Sequence, residues 1–596
     1  MDLLRFLEHP SFLLFRRFSH ANIDRSLNRR RKLLKQSHWW KNYSPESTST
    51  VKWTTLSHHG VIFPPPYSPH KIPIIYEGNP IILKPHQEEA ATLWASVIGT
   101  QWETKETFRK NFERSFLETL GKRHKIKSLD KCDFSQIVEY LEKEKENKKN
   151  RTAEEKRAEK EEKLALYKKK GYAVVDGVKE KILNFVVEPP GLFRGRGDHP
   201  KAGLIKRRIM PEDVTINIGE DSKIPKCPVR GHKWGNIVHN HTVTWLAYYK
   251  DPILPNSFKY VWLAATSKMK GLNDMLKYEK ARKLKEFIDK ARESYWSKIK
   301  SRILLDRQLG SALYLIDKLA LRVGNEKSNE EADTVGCCSL RVEHIKFEED
   351  NKITLDFLAK DCMRYYNTIQ IDPEVYKNLQ DFTKNKDLDD DLFDLIRSNT
   401  LNDYLKSLME GLSSKVFRTF NASIRLQEQL AIFNEKNLQL EDKMQFFIKA
   451  NKEVALLCNH QKTVPKNFDN QLERINSQIT KKKSKIENLE NHAKELRKKK
   501  RLAKSENVKK RITTNIKNTK KMIEKVKDDI EKLETRIEMK EDTKNIALET
   551  SKINYIDPRI VVSWCKKNKV PLDKVYSKSL KEKFKWAMNT EPDWVF

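Results

Sequence analysis

The chain has 596 residues, too many for one hydrophobic core, so two to four domains are expected. Lys and Arg outnumber Asp and Glu by 117 to 83, a formal charge of +34. That balance argues for a polyanionic partner, because each neutralised phosphate releases counterions. No apolar run reaches the ~18–20 residues a membrane-spanning helix needs, so nucleic acid is preferred over a membrane.

In chain order, residues 1–44 read as a basic, presequence-like segment. The opening MDLLRFLEHPSFLLFRRFSHANIDRSLNRRRKLLK mixes a Leu/Phe face with many arginines, which suits a mitochondrial targeting sequence; a basic nucleic-acid arm is the alternative. Asp2, Glu8 and Asp24 count against targeting. Residues 51–85 predict short strands punctuated by prolines, and 86–141 predict helix. Residues 142–171 are nearly all charge and predict one solvated helix stopped at Gly171. Strand candidates TVTWLAYY (242–249) and KYVWLAAT (259–266) lie in a mixed region, and helix returns over 271–325. ITLDFL and MRYYNTIQI bracket the turn AKDC (359–362), a β-hairpin, and 372–463 is helical again.

The clearest periodicity follows. Leu472, Ile475, Ile479, Ile486, Leu489, Ala493 and Leu496 step by three, four and seven, as do Ile512, Ile516, Ile523, Val526, Ile530, Leu533 and Ile537. The pattern lapses over 497–511, so two antiparallel coiled-coil arms are expected, with a dimerisation coil as the plainer reading. The last ~50 residues are too few to be stable alone and should pack back on the main body. There Asp557 predicts a helix N-cap and Pro558 the first helical position, leaving Tyr555 just ahead of the helix.

The seven cysteines are scattered, odd in number and without a CxxC pair, which suggests reduced intracellular thiols. Cys227, His232, His239 and His241 match the spacing of no common zinc site, and no metal is expected. There is no GxxxxGKS or GxxxxGKT loop and no HExxH. GLFRGRGDHP (191–200) could bring backbone close to a phosphate, with Arg194 and Arg196 as charge, or be an ordinary basic loop. Arg322 is expected in the last turn of a helix striped by Leu305, Leu309, Ala312, Ile316, Leu319 and Val323. His460 is expected at another helix end, where positive charge is favoured. Lys360 falls on the hairpin turn, and Arg418 neighbours Phe417 and Phe420. Taken singly, each has a sufficient structural reason.

Together these stretches resemble the eukaryotic type IB DNA topoisomerases. The phrases are EPPGLFRGRGDHPKAGLIKRRIMPED (188–213), IDKLALRVGNEK (316–327), ADTVGCCSLRVEHI (332–345), KDCMRYYN (360–367), MEGLSSKVFRTFNASI (409–424), LLCNHQ (456–461) and SKINYIDPRI (551–560). The resemblance covers roughly residues 45–596, lapsing in the coil and over 142–170. It implies an α+β, multidomain fold forming a DNA clamp. Residues 45–270 would be β-rich N-terminal subdomains, 271–463 a mostly helical catalytic core, 464–545 a two-helix linker and 546–596 a small helical C-terminal domain. Tyr555 would be the nucleophile that leaves a 3′-phosphotyrosyl link. Arg322, Arg418 and His460 would hold the nonbridging oxygens, and Lys360 would be the general acid. Arg194, Arg196, Lys201, Asp361 and Asn554 would contact DNA, with camptothecin-type inhibitors binding beside Arg196, Asp361 and Asn554. The partner would be double-stranded DNA, gripped by a monomer, with no membrane, cofactor, metal or ATP. The arginine-rich front resembles a mitochondrial form, with the nucleus as the alternative compartment.

The chemistry of that set is coherent. A tyrosine hydroxyl with pKa near 10 is a poor nucleophile until nearby guanidiniums favour the phenolate, and arginine forks also match phosphate oxygens in a pentacoordinate transition state. Two other readings remain at this stage: a tyrosine recombinase, with similar chemistry but specific sites, and a non-catalytic basic architectural protein.

Overall fold

The computed structural model describes residues 50–596 apart from 255, 329, 435–437 and 466; the presequence-like segment lies outside the described residues. The fold is α+β and falls into two compact units. One holds the described residues up to Lys277 together with Lys327–Thr334 and Lys581–Trp586; the other holds Tyr278–Glu326, Val335–Leu580 and Ala587–Phe596.

The first unit has two cores. In one, the four-stranded sheet runs in the order Asn236–Val238, Val214–Asn217, Trp245–Lys250, Phe258–Trp262, its first pair parallel and the others antiparallel. Val214, Ile216, Leu246, Ala247 and Val261 pack there against Leu56, Ala173 and Val175 of a smaller sheet. His58 is buried in this core; its Nδ1 accepts from the Gly60 N–H, so Nε2–H donates to the Asn217 carbonyl at 2.9 Å. Burial holds His58 neutral, at a pKa of about 4. The other core is built on the helix Glu106–Leu120, where Phe108, Phe112 and Phe116 recur every fourth residue and so line one face. All three are fully buried, and Phe112 stacks on Trp94 of the helix Pro85–Ala95 at 4.5 Å between centroids.

This second core seats the glycine-rich loop. Strands Gly191–Leu192 and Ile205–Lys206 pair antiparallel and close it, and Asn111 Nδ2 donates to the carbonyls of Pro200 and Ala202. Gly203, at φ 99°, lies so close to the helix that a Cβ would come 2.0 Å from the Phe108 carbonyl oxygen. Gly195, at φ 63°, would clash with His199 in the same way. The fold of the loop itself therefore demands these glycines.

The charged stretch 142–171 is not one helix. Ser135–Asn150 ends at Arg151, and Ala153–Lys170 begins afresh with Thr152 as N-cap, its hydroxyl accepting from Glu155 N–H while Glu155 returns a bond to Thr152 N–H. The second helix buries none of its residues and ends at Gly171. Of the four candidate zinc ligands, His232 bonds Glu212, while His239 and His241 bond the carbonyls of Ile218 and Trp53.

In the second unit the helix Leu304–Leu319 is buried from Gln308 through Asp317, and the helix Ser414–Ala431 packs on it. Asp317, at their junction, receives Arg292 and Tyr295, and Asn421 donates to its carbonyl. The hairpin Lys352–Ala359/Met363–Gln370 forms as expected, with a third strand, Ile345–Glu348, that the sequence reading did not single out. Two long helices, Phe468–Leu502 and Glu506–Asp542, pack antiparallel: Gln471 meets Lys540, and Lys482 pairs with Asp529 at 2.6 Å. Their seam buries Ile475, Ile479, Val526 and Ile530. The break between them is 503–505, far shorter than the lapse in the pattern, because lysine and arginine sustain helix without an apolar seam.

Gly203→Ala should destabilise the chain by about 2 kcal/mol or more, since both the left-handed backbone and the Phe108 carbonyl oppose a Cβ. Urea unfolding measures this, and an unchanged midpoint would contradict the packing described.

Candidate active site

Of the five residues expected to carry chemistry, three, Arg322, Arg418 and His460, converge on a fourth, the Tyr555 phenol, in the second unit. Tyr555 follows the short helix Leu548–Asn554 and precedes the helix Pro558–Lys567. Asp557 caps the latter, accepting from Arg559 N–H, with Pro558 at the first position. The tyrosine backbone is fixed from both sides: its N–H donates to the Ser551 carbonyl at 2.9 Å, and its carbonyl accepts from Ser423 Oγ at 3.3 Å. Ser423 Oγ also accepts from Asp557 N–H. The ring is 7% exposed.

Arg322 does not lie in a helix turn as expected. The helix ends at Leu319, Ala320 turns left-handed at φ 48°, and Arg322 sits beyond it, half-buried. Its backbone is held by the Cys337 N–H, which donates to the Arg322 carbonyl at 2.8 Å. From there its Nη1 donates to Tyr555 Oη at 2.9 Å. Arg418, on the helix Ser414–Ala431, is buried; it donates to the carbonyls of Ala320 and Cys458, the latter at 3.0 Å. Its guanidinium carbon lies 4.9 Å from the centre of the Tyr555 ring. His460 stacks on the other partner of the set: the imidazole and phenol centroids are 5.3 Å apart at 27°.

The electrostatics follow from this packing. Burial acts to raise the Tyr555 pKa, but the charges of Arg418 and Arg322 and their hydrogen bonds prevail and hold it below the usual value of 10. His460 is pushed down to about 3, first by burial and then by Arg418 and Arg322. The expectation of a charged imidazole at a helix end is thereby corrected: the helix stops at Leu457, and His460 is buried and neutral. Its Nδ1 lies 2.6 Å from Ser551 Oγ, while Nε2 is buried and has no partner among the described residues, nor has Arg418 Nε.

Lys360 begins the hairpin turn, where Asp361 and Cys362 are left-handed at φ 70° and 57°. It is exposed and lines one cleft with Arg322, Arg418, Tyr365 and Asn459. Asp361 and Asn554, both exposed, adjoin Lys360 and Tyr555 in sequence. Arg194, Arg196 and Lys201 belong to the first unit. Arg194 lies 5.9 Å from the Trp102 ring centre, and Arg196 is exposed. The Lys201 ammonium is engaged by Glu330 at 2.7 Å and by the Ile253 carbonyl. Sequence reasoning missed Ser551 and Ser423; their partners lie 91 and 132 residues away, so no local signal pointed to them.

A buried phenol under two guanidiniums, beside two buried nitrogens that have no partner among the described residues, is an arrangement suited to receiving an anion. Known proteins agree in kind. Family models for eukaryotic DNA topoisomerase I match the chain over residues 51–263, the DNA binding fragment, and 266–493, the catalytic core; a C-terminal topoisomerase domain matches 527–596. DNA topoisomerase 1 beta of Arabidopsis thaliana is 48% identical over 93% of this chain. The Caenorhabditis elegans DNA topoisomerase 1 is 45% identical over 94% of the chain and 70% of its own length. For the Homo sapiens DNA topoisomerase 1 the figures are 43%, 94% and 73%. The chain belongs to the eukaryotic type IB DNA topoisomerase family. It spans about 60% of the length of the two Arabidopsis relatives.

The depressed His460 pKa has a definite sign. An imidazole of ordinary pKa 6.5 in the unfolded chain takes up a proton that the folded site refuses, so stability is fully present above pH 6.5 and erodes as pH falls toward about 3. In the DNA-free protein the His460 ring resonances should therefore stay flat between pH 5 and 8 in NMR titration. A midpoint near 6.5 would mean the ring is neither buried nor facing the guanidiniums.

Proposed function

We propose that this chain relaxes positive and negative DNA supercoils through a transient single-strand break. Tyr555 Oη attacks a backbone phosphorus, the bond to the 5′-oxygen breaks, and a 3′-phosphotyrosyl link forms. The phenol's proton passes to solvent water, the leaving 5′-oxygen takes one from the Lys360 ammonium, and religation returns both protons. Arg322 and Arg418 act as fixed charges on the nonbridging oxygens, with His460 Nε2–H as an uncharged donor. One phosphodiester is exchanged for another, so religation by the reverse steps needs no ATP, and stored torsion turns the free strand in between. The observation that carries this reading is the Arg322–Tyr555 bond at 2.9 Å, made inside a site whose net effect on the buried phenol is acidifying.

The wider assignments belong to the same proposal. Residues 45–270 grip double-stranded DNA, with Arg194, Arg196 and Lys201 on the backbone; 271–463 is the catalytic core, 464–545 the linker and 546–596 the C-terminal domain. The protein works as a monomer, and camptothecin-type compounds bind the cleaved complex beside Arg196, Asp361 and Asn554. Residues 1–44 direct the chain to the mitochondrion, on the strength of their arginine-rich, Leu/Phe-bearing composition.

Plasmid relaxation should proceed in EDTA without ATP, and denaturing the protein on DNA should trap an adduct at Tyr555. Tyr555→Phe should abolish both while leaving DNA affinity intact. Lys360→Ala should slow cleavage about 10²–10⁴-fold with little change in binding; equal losses in both would reduce Lys360 to a backbone contact. A fluorescent protein fused to residues 1–45 should enter mitochondria, and nuclear accumulation would reassign the compartment.

A further inference from the structure

We propose that Ser551 is a positioning residue for this reaction: its hydroxyl donates to His460 Nδ1 and so fixes the imidazole as the Nε2–H tautomer, aimed at the phosphate. The inference rests on the reading of Tyr555 just given, and adds to it a residue that never touches DNA.

The argument is one of hydrogen-bond counting in a buried place. Ser551 is fully buried, and its Oγ lies 2.6 Å from His460 Nδ1, its one side-chain partner among the described residues. Two proton arrangements fit that distance. If the ring donated to the hydroxyl, the serine hydrogen would have no acceptor and Nε2 would be a lone pair without a donor among the described residues, two unmet groups in a buried site. If the serine donates to the ring, only the Nε2–H is unmet, and an incoming nonbridging oxygen satisfies it. The second arrangement also leaves two buried donors, Nε2–H and Arg418 Nε–H, without an acceptor among the described residues. A ring with the opposite tautomer would point a lone pair at that oxygen and repel it.

The position of Ser551 serves this purpose. It stands one helical turn before Tyr555, and its carbonyl accepts the tyrosine N–H. The His460 carbonyl in turn accepts from Ala547 N–H at 2.7 Å, at the start of the same short helix. One serine thus sets both the backbone of the nucleophile and the proton on its neighbour.

The test uses the full-length chain. Nitrogen-15 NMR on labelled histidine reads the tautomer without DNA: Nε2–H is expected, and Nδ1–H would overturn the proposal with no substitution made. In single-turnover cleavage of a suicide duplex, Ser551→Ala should slow adduct formation about tenfold at unchanged DNA affinity. Ser551→Thr, which keeps the hydroxyl, should restore most of the rate. In a His460→Gln background Ser551→Ala should cost nothing further, because the group it positions is gone. An alanine variant as fast as wild type, or one equally slowed in both backgrounds, overturns the proposal. Should Ser551→Ala fail to fold, the wild-type tautomer and the threonine variant still decide. A wild-type protein that forms no adduct would sink the reading of Tyr555 itself, while the NMR result separately shows whether Ser551 sets the ring.

Discussion

The site depends on positive charge left without a counter-ion. Neither Arg322 nor Arg418 makes an ion pair with a carboxylate among the described residues, although the chain contains 83 acidic side chains. Burying a guanidinium in this way costs several kcal/mol unless dipoles replace water. Here the replacements are neutral: the carbonyls of Ala320 and Cys458 for Arg418, and the phenol oxygen for Arg322. Carbonyls stabilise the cation without cancelling its charge. The field that remains lowers the Tyr555 pKa against the pull of burial, and adds to burial, the larger cause, in keeping His460 from taking a proton. A single carboxylate in place of either carbonyl would make the fold more comfortable and the phenol ordinary.

Holding such a cluster requires backbone that cannot relax. The carbonyl acceptors come from chain ends that have just left helices: Ala320, left-handed after Leu319, and Cys458, after Leu457. Helix C-termini expose unmet carbonyls, so these are natural places to seat a guanidinium. The segment after Cys458 then ties several elements together. Gln461 Nε2 reaches the Arg364 carbonyl on the hairpin that carries Lys360. Lys462 N–H and Ala547 N–H bond across to Asn545 and His460 at the foot of the long antiparallel helices. Ser423, on the same helix as Arg418, holds the tyrosine carbonyl. In the proposed reaction, positioning of the proton donor, the imidazole and the nucleophile would be one mechanical problem.

Much of the fold was legible because it obeys simple periods. The hairpin over 353–371 and the heptad arms form where their spacing says they should, and the arms bury Ile475, Ile479, Val526 and Ile530. Failures came where a local bond outweighed composition. Thr152 and Glu155 start a new helix inside what looked like one charged run, and Thr519 fills a seam position between Ile516 and Ile523 that an apolar pattern skips. The site was legible as residues but not as geometry. Family-like phrases named Arg322, Arg418, His460 and Tyr555, yet local reading put Arg322 in a helix and gave His460 a charge. Both errors have the same cause: the Cys337–Arg322 contact, and the packing that buries His460 beside Tyr555, Arg418 and Arg322, join segments that no window of sequence brings together.

The neutrality of His460 bears on how roles would divide in the proposed chemistry. A third buried cation beside two guanidiniums would raise the desolvation cost again and repel its neighbours. An uncharged N–H adds a directed donor to the same oxygen without that cost. Charge stabilisation and proton movement are then kept apart. Around the phenol, the buried groups are either always charged, as arginine is, or never charged at working pH, as this histidine is, so in the proposed cycle only the phenol among them gives up and regains a proton. The proton donor is left to Lys360, which is exposed on its turn. In the proposed reaction such a division would keep the field of the guanidiniums on the phosphate the same in cleavage and in religation, so that one set of contacts serves both directions.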